Sequence, residues 1–66
     1  MRITANGTLY DVPPQASVAD FVRARGLDLR FVVVEWNGEP LERAGYEEAK
    51  LSDGDRLELV RAVAGG

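Results

Sequence analysis

Asn6-Gly7 and Asn37-Gly38 each stand between runs of strand-forming residues, and these two steps constrain the fold more than anything else in the chain. Asn-Gly favours the type I′ turn, whose central residues both need a positive φ and whose twist returns a strand antiparallel to its neighbour. The first step joins Met1-Arg2-Ile3-Thr4-Ala5 to Thr8-Leu9-Tyr10-Asp11-Val12. Pro13-Pro14 ends the second run, because proline cannot donate to a ladder. The other step follows Phe31-Val32-Val33-Val34-Glu35-Trp36, β-branched or aromatic at every position but one, and leads to Pro40-Leu41-Glu42-Arg43, a short edge segment limited by its proline. Two hairpins therefore bracket whatever lies between them.

What lies between them has helical spacing. Ser17 suits an N-cap, and Asp20 three residues on is a variant of the capping box that also favours the positive helix end. Val18, Phe21, Val22 and Arg25 share one face at i, i+3, i+4 and i+7. Gly26 can take the left-handed C′ conformation, with Leu27 as its hydrophobic companion. The pattern predicts a helix of about nine residues, too short to persist unless it packs on something larger. After residues 44–51, whose pattern decides nothing, Asp53-Gly54-Asp55 is a turn and Arg56-Leu57-Glu58-Leu59-Val60-Arg61 alternates as a last strand. A helix segregated from the strands makes this α+β. One helix on one face of a mixed sheet of four or five strands is the β-grasp arrangement. Its domain spans 1–61, and 62–66 form a flexible tail ending in Gly-Gly.

Composition narrows the chemistry. The 66 residues include no cysteine and no histidine, which excludes disulfides, thiolate nucleophiles, the usual zinc sites and a histidine general base. Eight basic against eleven acidic residues leave a net charge of −3, a poor match to the basic patch of nucleic-acid binders. No apolar run approaches the ~18 residues of a membrane span and the opening residues are not a signal peptide, so the expectation is a cytoplasmic protein with no membrane and no nucleic-acid partner.

The ordinary side chains offer no catalytic constellation. Thr4, Thr8, Ser17 and Ser52 lack a base to deprotonate them, and Ser17 is better placed as a cap than as a nucleophile. Asp53 and Asp55 belong to a solvated turn before they belong to a metal site, and Glu47-Glu48 is an exposed acidic step with no partner implied. Trp36, at a strand end, suits a core or rim anchor.

The tail is different. With glycine at ~7% of residues, two terminal glycines arise by chance in only ~0.5% of chains. Ala62, Val63, Ala64, Gly65 and Gly66 carry no charged or bulky polar side chain, unlike most flexible tails. Glycine permits close approach to a partner, so a narrow enzyme channel can receive this segment and present the Gly66 carboxylate to a reagent. That carboxylate is ionised at neutral pH and can attack the α-phosphate of ATP to give an acyl-adenylate.

Taken together, these residues resemble the ThiS group of sulfur carriers, ubiquitin-like β-grasp proteins that supply sulfur for the thiazole of thiamin. The resemblance covers essentially the whole chain. It is carried by Ile3 with Asn6-Gly7, by Val18 to Gly26-Leu27, by Val32-Val33-Val34-Glu35 with Asn37-Gly38-Glu39, and by Leu51, Asp53-Gly54-Asp55, Leu57-Glu58-Leu59 and Val63-Ala64-Gly65-Gly66. It implies a non-catalytic co-substrate with no bound cofactor, in which Gly66 carries the sulfur while Gly65, Ala64, Val63 and Ala62 give access. An E1-like adenylating enzyme, using ATP, joins the carboxylate to AMP. Sulfur from a desulfurase system displaces AMP to leave a thiocarboxylate, and thiazole synthase receives it. Carriers for molybdopterin or transfer-RNA thiolation, a ubiquitin-like modifier and a plain β-grasp binding module remain alternatives. A modifier that forms self-chains has only Lys50 to use.

Strand parity adds a docking candidate. With Val32 and Val34 turned toward the helix, and Leu57 and Leu59 likewise, Phe31, Val33 and Val60 fall on the opposite face, where an apolar patch marks a partner site. The competing expectation is that the segment at 44–50 covers one of these strands.

Overall fold

In the computed structural model, which describes residues 1–62, both Asn-Gly steps turn with positive φ at each central residue: 49° and 80° at Asn6-Gly7, 52° and 83° at Asn37-Gly38. The first connects β1 (Arg2–Ala5) to β2 (Thr8–Asp11), and the second connects β3 (Val32–Trp36) to β4 (Glu39–Leu41). The last strand, β5 (Arg56–Arg61), inserts between the hairpins, giving one five-stranded sheet in the order β2-β1-β5-β3-β4. It runs parallel to β1, with Thr4 opposite Arg56 and Ala5 opposite Leu57, and antiparallel to β3, with Val34 opposite Leu59. The sheet is therefore mixed, as expected.

The turn asparagines do more than turn. The Leu59 N–H donates to Asn6 Oδ1 at 2.7 Å, and Asn6 Nδ2 donates back to the Leu59 carbonyl at 3.1 Å. On the other side of β5, the Arg56 N–H donates to Asn37 Oδ1 at 2.8 Å. Each hairpin thus grips the central strand through the residue that closes it.

Helix α1 (Val18–Ala24) is seven residues long and not nine. Its start is a full capping box: Ser17 Oγ accepts from the Asp20 N–H at 3.0 Å, and Asp20 Oδ2 accepts from the Ser17 N–H at 2.9 Å. Arg25 is its C-cap, Gly26 sits at φ 74°, and the Leu27 N–H reaches the Val22 carbonyl at 3.2 Å, a Schellman motif at the Gly26-Leu27 stop expected from the sequence. Val18, Ala19, Phe21 and Val22 are buried against Ile3, Ala5, Val32, Val34 and Leu57.

Phe31, expected as the first residue of the strand, lies instead in a 3₁₀ turn over Leu29–Phe31. Asp28 causes this by capping the turn, accepting from the Arg30 N–H at 2.9 Å. The undetermined stretch before β5 packs beside the helix. Tyr46, Ala49 and Leu51 are buried, and Tyr46 Oη donates to the Val32 carbonyl at 2.7 Å. Backbone bonds from Val18 to Ala49, from Ala19 to Tyr46 and from Leu51 to Ala16 dock it there. It lies on the helix side and covers neither β3 nor β5 on the open face. No helix among the described residues is long and apolar enough to cross a membrane.

Asp55 holds the entry to β5. Its carboxylate accepts from Trp36 Nε1 at 2.9 Å, Asn37 Nδ2 at 3.0 Å and the Ser52 N–H at 2.7 Å. Partial burial pushes its pKa up, but the bonds from Trp36, Ser52 and Asn37 outweigh it and hold the carboxyl below the ordinary value.

Two outcomes follow from these clamps. Asn6→Gly keeps a turn-compatible residue and loses only the grip on Leu59, so chemical denaturation should show a loss of about 1 kcal/mol, and Asn6→Ala about 1 kcal/mol more because alanine resists positive φ. Asp55→Ala should cost about 2 kcal/mol at pH 7. Since the folded-state pKa of Asp55 lies below its unfolded value near 3.9, its contribution is complete above that value and disappears as pH falls through the folded pKa. The wild-type and Asp55→Ala midpoints should therefore converge below about pH 4 in a Trp36 fluorescence titration.

Candidate functional site

Five of the side chains singled out as chemical candidates, Ser17, Trp36, Glu47, Asp53 and Asp55, have a structural occupation. Ser17 is buried in its capping box. Asp53 Oδ1 accepts from the Arg2 N–H at 2.7 Å and Asp55 is saturated by donors, so both carboxylates of the turn lock β5 to its neighbours. Trp36 is half-buried against the core and donates to Asp55, an anchor as expected. Glu47 does have a partner: Arg23 reaches it at 2.6 and 2.9 Å and also touches Asp20 at 3.3 Å. The bonds from Arg23 hold the Glu47 carboxyl below its usual pKa. Among the described residues, no three acidic groups gather into a metal site.

What remains is a surface and an exit. On the face of the sheet away from α1, Phe31, Val33 and Val60 are 40%, 51% and 62% exposed. Val33 and Val60 are direct cross-strand partners in the β3–β5 ladder, so their side chains share one contact. Phe31 continues the row. The Ala62 N–H donates to the Phe31 carbonyl at 2.7 Å, one rung beyond Arg61 opposite Val32. The predicted patch is thus brought together at the end of β5 from which the tail departs. Ala62 is exposed and hydrogen-bonded at the root of that tail. Val63, Ala64, Gly65 and Gly66, the access and sulfur-carrying positions of the sequence reading, lie outside the described residues.

One further row of the open face is chemically distinct. Glu35 and Glu58 are exposed and directly opposite each other, one rung from Val33 and Val60. Like charges so placed repel. Neither makes an ion pair among the described residues, and Arg56, two positions along β5 on the same face, bridges to no carboxylate. Sequence reasoning missed this pair because strand pairing, and not spacing, puts the two residues side by side. It also missed Leu9, 63% exposed on the same face, whose alternation with the half-buried Tyr10 was a usable signal.

On the helix side, a groove of about 320 Å³ runs between β2 and α1, lined by Tyr10, Pro14, Phe21 and Arg25 among others. The Arg25 guanidinium lies 4.8 Å from the Tyr10 ring centre, and Tyr10 meets Phe21 edge-on at 5.2 Å, so the groove wall is a stacked unit.

Comparison with known proteins gives a consistent result. The model of the ThiS family matches residues 3–66. The crystal structure of a thiamine biosynthesis protein (ThiS) from Geobacter metallireducens superposes with a TM-score of 0.83 at 32% identity, covering all of both chains. The solution structure of a thiamine biosynthesis protein from the same organism gives 0.80 at 32% identity, covering all of this chain and 88% of that one. A thiazole synthase from Paramagnetospirillum magneticum is 32% identical over 66 residues, all of this chain, which spans only 20% of that protein's length.

The single bond at the tail root is testable. Ala62→Pro removes the N–H that Phe31 accepts while leaving Arg61 its extended conformation. Hydrogen exchange should accelerate at Val33 and Val60, two positions further along the ladder, with a fall in Tm of no more than several degrees. Unchanged exchange there would show that Ala62 does not anchor the ladder.

Proposed function

The chain belongs to the ThiS family, and from that premise we propose that it is a cytoplasmic sulfur carrier of thiamin biosynthesis, a protein co-substrate that catalyses nothing itself. The observation that carries this reading is the extent of the family match, which covers residues 3–66 and includes Gly65-Gly66. The absence of cysteine fits a sulfur carried on the main chain at Gly66, the role that the family implies.

The chemistry falls on one group. A Gly66 carboxylate oxygen attacks the α-phosphorus of ATP, the bond to pyrophosphate breaks, and an acyl-adenylate forms on an E1-like partner. Hydrosulfide, released when a thiol reduces the persulfide sulfur of a desulfurase system, then attacks the carbonyl carbon. The bond to AMP breaks, AMP leaves with its electron pair, and a thiocarboxylate remains. Thiazole synthase takes this sulfur into the thiazole ring. The similarity to a segment of a much longer thiazole synthase supports that recipient over molybdopterin or transfer RNA.

The body of the domain contributes position. β5 is fixed on both sides by its ladders and by Asn6 and Asn37, and it leads without a break to the tail. Gly65 and Gly66 offer no side chain to obstruct a narrow channel. Ala62, Val63 and Ala64 add only small or modest apolar bulk.

Incubation with ATP, the adenylating enzyme and sulfide should raise the intact mass by the difference between sulfur and oxygen, and deletion of Gly66 should abolish the shift. An unchanged mass with an enzyme that demonstrably adenylates another carrier would overturn the reading.

A further inference from the structure

β2 is one edge of the sheet, and half of its backbone is unused. The two-residue turn at Asn6-Gly7 makes Ala5 and Thr8 a hydrogen-bonded pair, and alternate pairs of the hairpin repeat that pattern. The Val12 N–H accordingly donates to the Met1 carbonyl at 2.8 Å, and the Met1 amine donates to the Val12 carbonyl at 2.9 Å. Leu9 and Asp11 fall in the pairs between, opposite Thr4 and Arg2, so their N–H and C=O groups point away from β1 into the open edge. Neither makes a backbone bond to another element among the described residues. The opposite edge, β4, is three residues long and blunted by Pro40, whereas Thr8–Asp11 holds neither proline nor lysine.

A groove runs along this same edge on the helix side. The cavity of about 320 Å³ between β2 and α1 shares Tyr10, Phe21 and Arg25 with a second of about 270 Å³ that reaches Leu27 and Arg61. Arg25 stands where the two meet, stacked on Tyr10 and joined to no carboxylate among the described residues. Arg61 adds a second positive charge at that end. An extended peptide laid against β2 would pair with Leu9 and Asp11 and turn every second side chain over the groove. We propose that the β2 edge binds an extended segment of a partner protein as a sixth strand, with aliphatic side chains in the groove and a carboxylate on Arg25. The β2 of a second copy is a poorer occupant. Its one acid, Asp11, lies on the Leu9 side of the strand, away from Arg25, and two chains of net charge −3 repel. The site stands two strands from β5 in the order β2-β1-β5, about 10 Å away, so its occupation leaves the end of β5 uncovered. Nothing in it depends on the sulfur-carrier reading.

The probe is the consensus peptide from a random octapeptide phage library selected on the full chain. It should alternate aliphatic residues and carry aspartate or glutamate toward one end. On titration, amide exchange should slow at Leu9 and Asp11, the outward N–H groups, with little change at Thr8 and Tyr10, which β1 already holds. Arg25→Gln should weaken calorimetric binding about tenfold and Arg25→Lys by less, with the loss shrinking as salt rises. Leu9→Pro removes an N–H that β1 does not use and should abolish binding in a chain that circular dichroism shows to be folded. Val33→Ser, on the far side of β5, should leave affinity unchanged. A library that yields no consensus, or a consensus peptide that protects other amides and not Leu9 and Asp11, would overturn the edge site, whether or not Leu9→Pro folds. Unchanged affinity in Arg25→Gln would overturn the acidic contact. A doubled mass in light scattering that Leu9→Pro returns to the monomer value would give the edge to a second copy and overturn the partner peptide.

Discussion

β5 is the strand on which the rest of the structure depends. Two hairpins made by Asn-Gly turns are each marginal alone, and nothing in either one pairs it with the other. Insertion of Arg56–Arg61 between β1 and β3 joins them into one sheet, completes the floor under α1 with Leu57, and supplies the partners for both turn asparagines. The parallel contact of Thr4 and Ala5 with Arg56 and Leu57 joins opposite ends of the chain. The sheet is therefore incomplete until β5 is in place.

Much of this was legible in the sequence because it is local. The Asn-Gly turns, the Ser17 cap with Asp20, the Gly26 stop and the alternation of Arg56 to Arg61 each follow from a few adjacent residues and their steric limits. Local rules also misplaced two boundaries. The helix is seven residues and not about nine, because Ser17 and Arg25 are its caps and not its turns, and β propensity at Phe31 overlooked the Asp28 cap that turns the chain just before β3. Residues 44–51 were illegible for a different reason. They are held by Tyr46 on Val32, by backbone bonds to Ala16, Val18 and Ala19, and by Arg23 on Glu47, all of them contacts between distant positions that leave no periodic trace.

The candidate site divides in the same way. Parity along two strands was enough to put Val33 and Val60 on one face, and the β3–β5 register made them direct cross-strand partners. The opposition of Glu35 and Glu58 needed the register itself, since the two residues are unremarkable in sequence. The tail stood out by composition, because an end without charge or bulk is unusual whatever the fold behind it.

The placement of β5 also determines how the domain bears a load. A pull applied at Ala62 is directed along a strand bonded on both edges, to β1 and to β3. Force along such a strand shears many hydrogen bonds at once, whereas force on an edge hairpin would peel them apart one by one. Load introduced at Ala62 therefore meets a strand held on both edges and not a free hairpin.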